Sequence, residues 1–424
     1  MYSKNSLVFI ILLFSIFSLL FAQKDKATYV PKSKSPVLEQ IRNDMEAENA
    51  IKDSITQLIR DRQDEESQTK KNNRKTLRAD FSKLNKPESL DKFKQYFHFK
   101  PVAQYYSGMC WSYSTTSFLE SEVKRLTGQE IKLSEVHTVY YQYLAKARRF
   151  IIERGDSYFA EGSEANAVLM MMDNHGAVPE EVYTGKKKYE KHNHIQMFDE
   201  MESYLEFCKE TNYWEENVIL GTIKNILNQY MGTPPASFQW NGKSYTPLEF
   251  KNNVLKINSN DYVEFQSTTS QPFYKQGLFD VPDNWWLDES YYNIPLKEWH
   301  ALIIKSIKNG YTVNIGGDVS EPGYVGEEDA AFIPDFIIPG KYINQDSREY
   351  GIYAGITEDD HGIHMVGHTK KDGYNWFLIK DSGRSSRKGQ YHGYYMWRED
   401  YVKLKMLTFM VHKDIVEKIL GKCQ

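Results

Sequence analysis

Two distant stretches of this chain carry the residue types needed to break an acyl bond. The first is Gly108-Met109-Cys110-Trp111-Ser112-Tyr113-Ser114. A cysteine attacks as its thiolate, so the question is what would hold the charge. After it, Trp111, Phe118, Leu119, Val123 and Leu126 fall on roughly one helical face, and Gly128 closes the run. Cys110 is therefore expected at or near a helix N-terminus, where the partial positive charge of the helix favours thiolate over thiol. Gly108 permits a sharp approach to it. On these grounds alone a buried structural cysteine is an equal reading.

The second stretch holds a base and its partner. Asp360-His361-Gly362-Ile363-His364-Met365-Val366-Gly367-His368 is a short apolar run bounded by turn residues, as is Tyr374-Asn375-Trp376-Phe377-Leu378-Ile379-Lys380-Asp381-Ser382-Gly383. Two antiparallel strands joined at Lys370-Lys371-Asp372-Gly373 would bring His361 close to Asp381. His361 can then pair with the thiolate and later protonate a leaving amine. Asp381 can accept from the other ring nitrogen and set its tautomer. The backbone N–H of Cys110 can receive the oxyanion that forms on attack. Alternation along a strand sends His364 to the opposite face from His361. The spacing of His361, His364 and His368 is poor for zinc, and no metal is expected.

These residues need a scaffold, and the composition supplies one. The chain has 424 residues, 41% hydrophobic and 14% aromatic, enough for one large domain or two to three lobes. The formal charge is −4 and no basic block occurs, so a nucleic-acid partner is not expected. Residues 1–22 read as an export signal: Lys4, an apolar run from Leu7 to Phe21, and cleavage after Ala22. That predicts a periplasmic or extracellular protein with no membrane span after signal removal, a retained signal anchor being the alternative. Only Cys110, Cys208 and Cys423 occur, so this is no disulfide scaffold, and one thiol stays free whatever pairs.

In chain order, 23–90 is a charged N-terminal extension, helical over 37–63 and followed by a linker or frayed helix at 64–76. A helical lobe with the nucleophile follows at 91–182. Residues 183–300 form a mainly helical insertion, with helical period across 201–230. Residues 301–424 form a β-rich lobe containing His361 and Asp381, in which 310–319, 401–404 and 406–414 read as strands.

The segment around Cys110 also resembles the active-site cysteine segment of papain-like cysteine peptidases. Gln104 lies six residues before Cys110, Trp111 follows it directly, and Tyr113 and Ser114 come next. Ser107 stands where many members carry a second cysteine, which the bleomycin hydrolase (aminopeptidase C) branch also lacks. Glu161-Gly162-Ser163, His175-Gly176-Ala177-Val178-Pro179 and Ile294-Pro295-Leu296 are similar to that branch as well, and Gly367, six residues after His361, keeps a spacing common among papain relatives. The resemblance extends over about residues 95–415. It implies an α+β papain-like fold of two lobes, one helical and one β-barrel-like, with a large helical insertion. It implies a thiol peptidase without cofactor, acting on peptides through an acyl-enzyme and most simply as an aminopeptidase. Gln104 would donate to the oxyanion, Gly162 and Ser163 would lie along the substrate backbone, and Trp111 and Asp360 would border it.

Bleomycin hydrolases assemble as hexamers and use a C-terminal arm to restrict cleavage. The arm looks shorter here, so a homo-oligomer and the choice between aminopeptidase and endopeptidase stay open. Where the family usually has Asn-Ser-Trp-Gly, this chain has Asp381-Ser382-Gly383-Arg384. The orienting amide becomes a carboxylate and the covering indole is missing, with Trp376 and Tyr391 as candidate replacements. That departure also supports a third reading, a catalytically inactive peptide-binding or assembly protein.

Overall fold

The structure, a computed structural model, describes residues 29–32 and 34–423. The export signal expected at 1–22 lies outside them. Among the described residues no helix is long and apolar enough to cross a membrane. The chain divides into two units, Met1–Thr76 and Leu77–Gln424.

Among its described residues the first unit is built on one helix, α1 (Pro36–Asn73), with no buried residue. Proline opens it, Glu39 lies in its first turn and Lys70 and Lys71 in its last, each placed to suit the helix dipole. The polar residues 64–73, expected as linker or frayed helix, continue it.

The second unit carries the site. Its helical part contains α2 (Cys110–Thr127), α3 (Glu135–Ile152), α4 (Ala165–His175), α5 (Ile195–Glu210) and α6 (Glu216–Tyr230). Ser134 caps α3 by accepting from the His137 N–H, and Gly128 ends α2 in the left-handed conformation. Residues 201–230 form two helices rather than one, because the chain turns at Asn212, whose φ is 52°. Phe118, Leu119, Val139, Tyr143, Ile219 and Leu227 from these helices are buried in one core.

The β part is one eleven-stranded sheet. Its centre runs β1 (Tyr262–Gln266), β6 (Met406–His412), β2 (Val313–Gly317), β3 (His361–Lys371), β4 (Tyr374–Lys380) and β5 (Tyr394–Arg398), all antiparallel neighbours. The helix α7 (Leu296–Lys308) buries Trp299, Ile303 and Ile307 in the same core as Ile315, Ile363, Phe377 and Phe409 of the sheet. The 183–300 segment is thus helical in its first half, while its second half supplies β1 and short strands at the sheet edge. Residues 401–404, expected as a strand, belong to a helix, Glu399–Lys405. The β3–β4 turn is the two-residue Asp372-Gly373 loop, with φ of 50° and 82°. Positive φ at both positions is what a tight hairpin with right-twisted strands requires.

Candidate active site

Helix α2 crosses the sheet directly over β3. A Cβ on Gly362 would come within 3.3 Å of the Trp111 Cα, so a larger residue there would push helix from strand. Ser117 Oγ meets His364 Nδ1 at 2.8 Å, and Asn314 Nδ2 donates to Thr115 Oγ1 at 2.7 Å. These bonds fix the helix N-terminus against the start of β3, where Cys110 and His361 line one cavity.

The loop before Cys110 is held from both lobes. Glu161 Oε2 accepts the Gly108 N–H at 2.5 Å, and the Glu161 carbonyl accepts the Trp111 indole N–H at 3.2 Å. From the other side, Gln104 Oε1 accepts the Ser382 hydroxyl at 2.7 Å, and the Gln104 N–H donates to the Ser382 carbonyl at 3.0 Å. One N–H of the Gln104 side chain donates to the Ser107 carbonyl at 2.8 Å, leaving its second for another acceptor. Cys110 is the first residue of α2, where a backbone N–H has no carbonyl of a preceding turn to bond.

His361 joins the two halves. Its Nε2 lies 2.7 Å from Asp381 Oδ1, and its ring also bonds the Cys110 thiol. Burial opposes charge on the imidazole, but the Asp381 carboxylate and the Cys110 sulfur outweigh it, and the His361 pKa stands well above its ordinary value. Burial pushes the Asp381 pKa up. The His361 charge, the Gly383 N–H at 2.8 Å and the Tyr324 hydroxyl at 3.3 Å pull more strongly down, leaving it below the usual carboxylate range. His364 does not line the Cys110 cavity; it is fully buried, and burial together with the nearby Lys380 cation drives its pKa well below ordinary. His368 bonds Asn375 at 3.0 Å, so the three histidines have separate partners.

The covering role offered for Trp376 or Tyr391 falls to neither. Trp376 pairs with Thr369 toward the hairpin turn, at the far end of β3 from His361, and is buried with Phe93 and Val366. Tyr391 donates its hydroxyl to the Glu88 carbonyl. Tyr324 stands by Asp381 instead, its ring stacked on Tyr395 with centroids 4.6 Å apart. Sequence reading missed it, because nothing local links Tyr324 to a residue 57 positions away.

The expected substrate-contacting residues surround the same cavity unevenly. Trp111, Ser163 and Asp360 line it beside Cys110. Ser163 is buried, accepting from Gln142 Nε2 at 2.7 Å and Trp285 Nε1 at 3.3 Å. Asp360 accepts the Val319 N–H at 3.0 Å, and burial pushes its pKa up to about 6. Gly162 is covered by the Asp283 carboxylate, with Oδ2 only 2.1 Å from where a Cβ would stand. Glu164, Glu264, Asp283 and Asp359 also line the cavity, and sequence reading singled out none of them.

No protein-family model and no curated protein sequence matches this chain. Among solved structures, PepW from Lactobacillus rhamnosis HN001 (DR20) is similar at a TM-score of 0.66 and 15% identity, covering 92% of this chain and 95% of that one. The fold is accordingly the papain-like α+β fold, close to that of PepW. The mite allergens Blo t 1 and Der p 1 and procathepsin L 3 of the Tenebrio molitor larval midgut also match. Their TM-scores of 0.35 and 0.32, at 13% and 12% identity, carry no weight beside it.

Proposed function

We propose that this protein is a cysteine peptidase that cleaves peptides through a thioester acyl-enzyme, releasing residues from the N-terminus. The observation that carries the reading is that Cys110 and His361, from separate elements, line one cavity, with Asp381 bonded to the His361 ring from a third. His361, held as a cation by Asp381, stands beside the Cys110 sulfur, which reacts in its thiolate form. The sulfur attacks the substrate carbonyl carbon, forming the C–S bond and moving the carbonyl electron pair onto oxygen. The Cys110 N–H and the second side-chain N–H of Gln104 receive that oxyanion. Its collapse breaks the C–N bond as His361 delivers its proton to the leaving amine. A water then gives a proton to His361 and attacks the thioester, releasing the acid and restoring the thiolate.

Asp381 fills the role of the usual amide with a full charge, which strengthens the hold on the imidazolium. The test is hydrolysis of aminoacyl fluorogenic amides by the wild-type chain and by Cys110→Ala. The expected result is complete loss in the variant at unchanged thermal stability; activity surviving in Cys110→Ala would defeat the proposal. Acetylating the substrate amine separates an aminopeptidase, which loses turnover, from an endopeptidase, which keeps it. A catalytically inactive binding protein would leave both substrates intact.

A further inference from the structure

The cavity that Cys110 and His361 share is lined by five carboxylates, those of Glu164, Glu264, Asp283, Asp359 and Asp360. An acidic cluster by itself proves no ligand. Here, however, three buried acceptor atoms on the lining have no hydrogen-bond donor among the described residues: Asn314 Oδ1, Glu264 Oε2 and Glu164 Oε1. These side chains are 3%, 5% and 5% exposed, so bulk water does not satisfy them. Leaving a buried acceptor without a donor is costly, and all three oxygens ask for the same thing, an N–H or O–H donor.

Charge and size narrow what that donor is. Glu164 hydrogen-bonds the Asp359 carboxyl and burial raises the pKa of both, so a group bringing positive charge would draw the pair toward its ionised form as well as supplying donors. The cations nearby are already engaged: His361 with Asp381, and Lys146 Nζ with the Ala160 and Gly162 carbonyls. The cavity measures about 30 Å³. That holds a group the size of a water molecule or two, not the stem of a lysine or arginine.

Position selects the source. In any aminoacyl substrate the α-nitrogen lies about 2.5 Å from the carbonyl carbon under attack. Cys110 lines this cavity, so a carbonyl seated on its sulfur brings its own α-ammonium within reach of the same lining. On the side where a longer peptide would continue, the Asp283 carboxylate lies against Gly162, and the neighbouring Trp285 bonds Ser163. Asp283, from the 183–300 segment, thus covers the Gly162 backbone along which the resemblance would lay further substrate residues.

We propose that Glu164 and Asp283, with Asp359, Glu264 and Asn314 behind them, bind the α-ammonium of the substrate's N-terminal residue and so limit cleavage to that residue. This rests on the peptidase reading above and names the groups that would enforce its N-terminal restriction.

The test compares kcat/KM for an aminoacyl amide with a free α-amine and for its Nα-acetyl counterpart, in wild type, Asp283→Asn and Glu164→Gln. Iodoacetamide labelling of Cys110 and a melting curve monitor the fold of each variant. The expected outcome is a strong wild-type preference for the free amine that falls about tenfold or more in each variant. A preserved preference in folded variants overturns these residues' role and leaves an aminopeptidase intact. A wild-type ratio near one overturns the inference and the N-terminal restriction, while Cys110-dependent turnover would still stand. An Nα-acetyl-lysyl amide cleaved as well as the free-amine substrate would assign the site to a side-chain ammonium and overturn the α-ammonium reading. No hydrolysis of any substrate, with Cys110 unreactive, overturns both readings together.

Discussion

His361 lies between a sulfur and a carboxylate, and the balance of those contacts determines the pH range of any chemistry here. The imidazole pKa is raised by Asp381 and Cys110 against the cost of burial, so the imidazolium persists as pH rises past the ordinary histidine value. It is lost when His361 finally gives up its proton. Replacing Asp381 with Asn removes the larger favourable charge and keeps an acceptor. In a pH profile of kcat/KM, Asp381→Asn should move the alkaline limb down by about one unit or more; an unmoved limb would mean that the carboxylate does not govern the imidazole. Gln104 makes a separate contribution. Its side chain is fixed by Ser382 and Ser107 while one N–H remains for the oxyanion. Gln104→Ala should lower kcat by about a hundredfold with little change in KM, the signature of a donor used chiefly in the transition state. Tyr324, which donates to the oxygen of Asp381 not bonded to His361, is the residue that no spacing rule could have suggested.

At the level of elements, the site depends on one helix end meeting one strand start. The hairpin was legible because Asp372-Gly373 is a strong turn signal between two apolar runs, and its pairing brings the start of β3 beside the end of β4, where His361 bonds Asp381. Helix α2 was legible from its apolar spacing and Gly128. Short apolar runs without a turn signal misled: Tyr401-Val402-Lys403-Leu404 suits a strand, yet it packs as a helix with all but Lys403 buried. Such runs are ambiguous until tertiary burial decides them. The break between α5 and α6 depends on a left-handed Asn212, a conformation that asparagine tolerates but does not announce. Phe118 shows how tightly the helix is set. It is fully buried, with edge-to-face contacts to Tyr262 at 5.6 Å and His364 at 6.1 Å between ring centroids. Phe118→Ala should cost about 3–5 kcal/mol in denaturant unfolding, and a loss below 1 kcal/mol would mean that the helix does not depend on this packing.

Within the second unit a buried polar seam joins α2, β3 and β4. Ser117 bridges His364 and Lys380 there, with Lys380 Nζ at 2.7 Å. Burial pushes the Lys380 pKa down to about 8. The unfolded chain therefore holds a proton that the folded one releases between pH 8 and about 10.5. By linkage this group's contribution to stability rises with pH across that window and is most unfavourable below it. Lys380→Met removes the contribution, so the stability of wild type relative to the variant should climb from pH 8 to 10 in parallel thermal melts; a flat difference would mean that Lys380 keeps its proton throughout. None of this seam was visible in the sequence, because its members come from α2, β3 and β4 and no local pattern marks a buried lysine. The strand β1, contributed by the second half of the 183–300 segment, was hidden for a similar reason, since its partner β6 lies more than a hundred residues later.

The reactivity of a single sulfur tests the account most directly. Wild type and His361→Ala should be alkylated with iodoacetamide at pH 6 and the labelled residues located by mass spectrometry. The account predicts rapid, stoichiometric modification of Cys110 in the wild type and a rate at least about tenfold lower in His361→Ala, because an isolated thiol is almost wholly protonated at that pH. Equal rates in the two proteins, or a Cys110 that stays unmodified while Cys423 reacts, would contradict it.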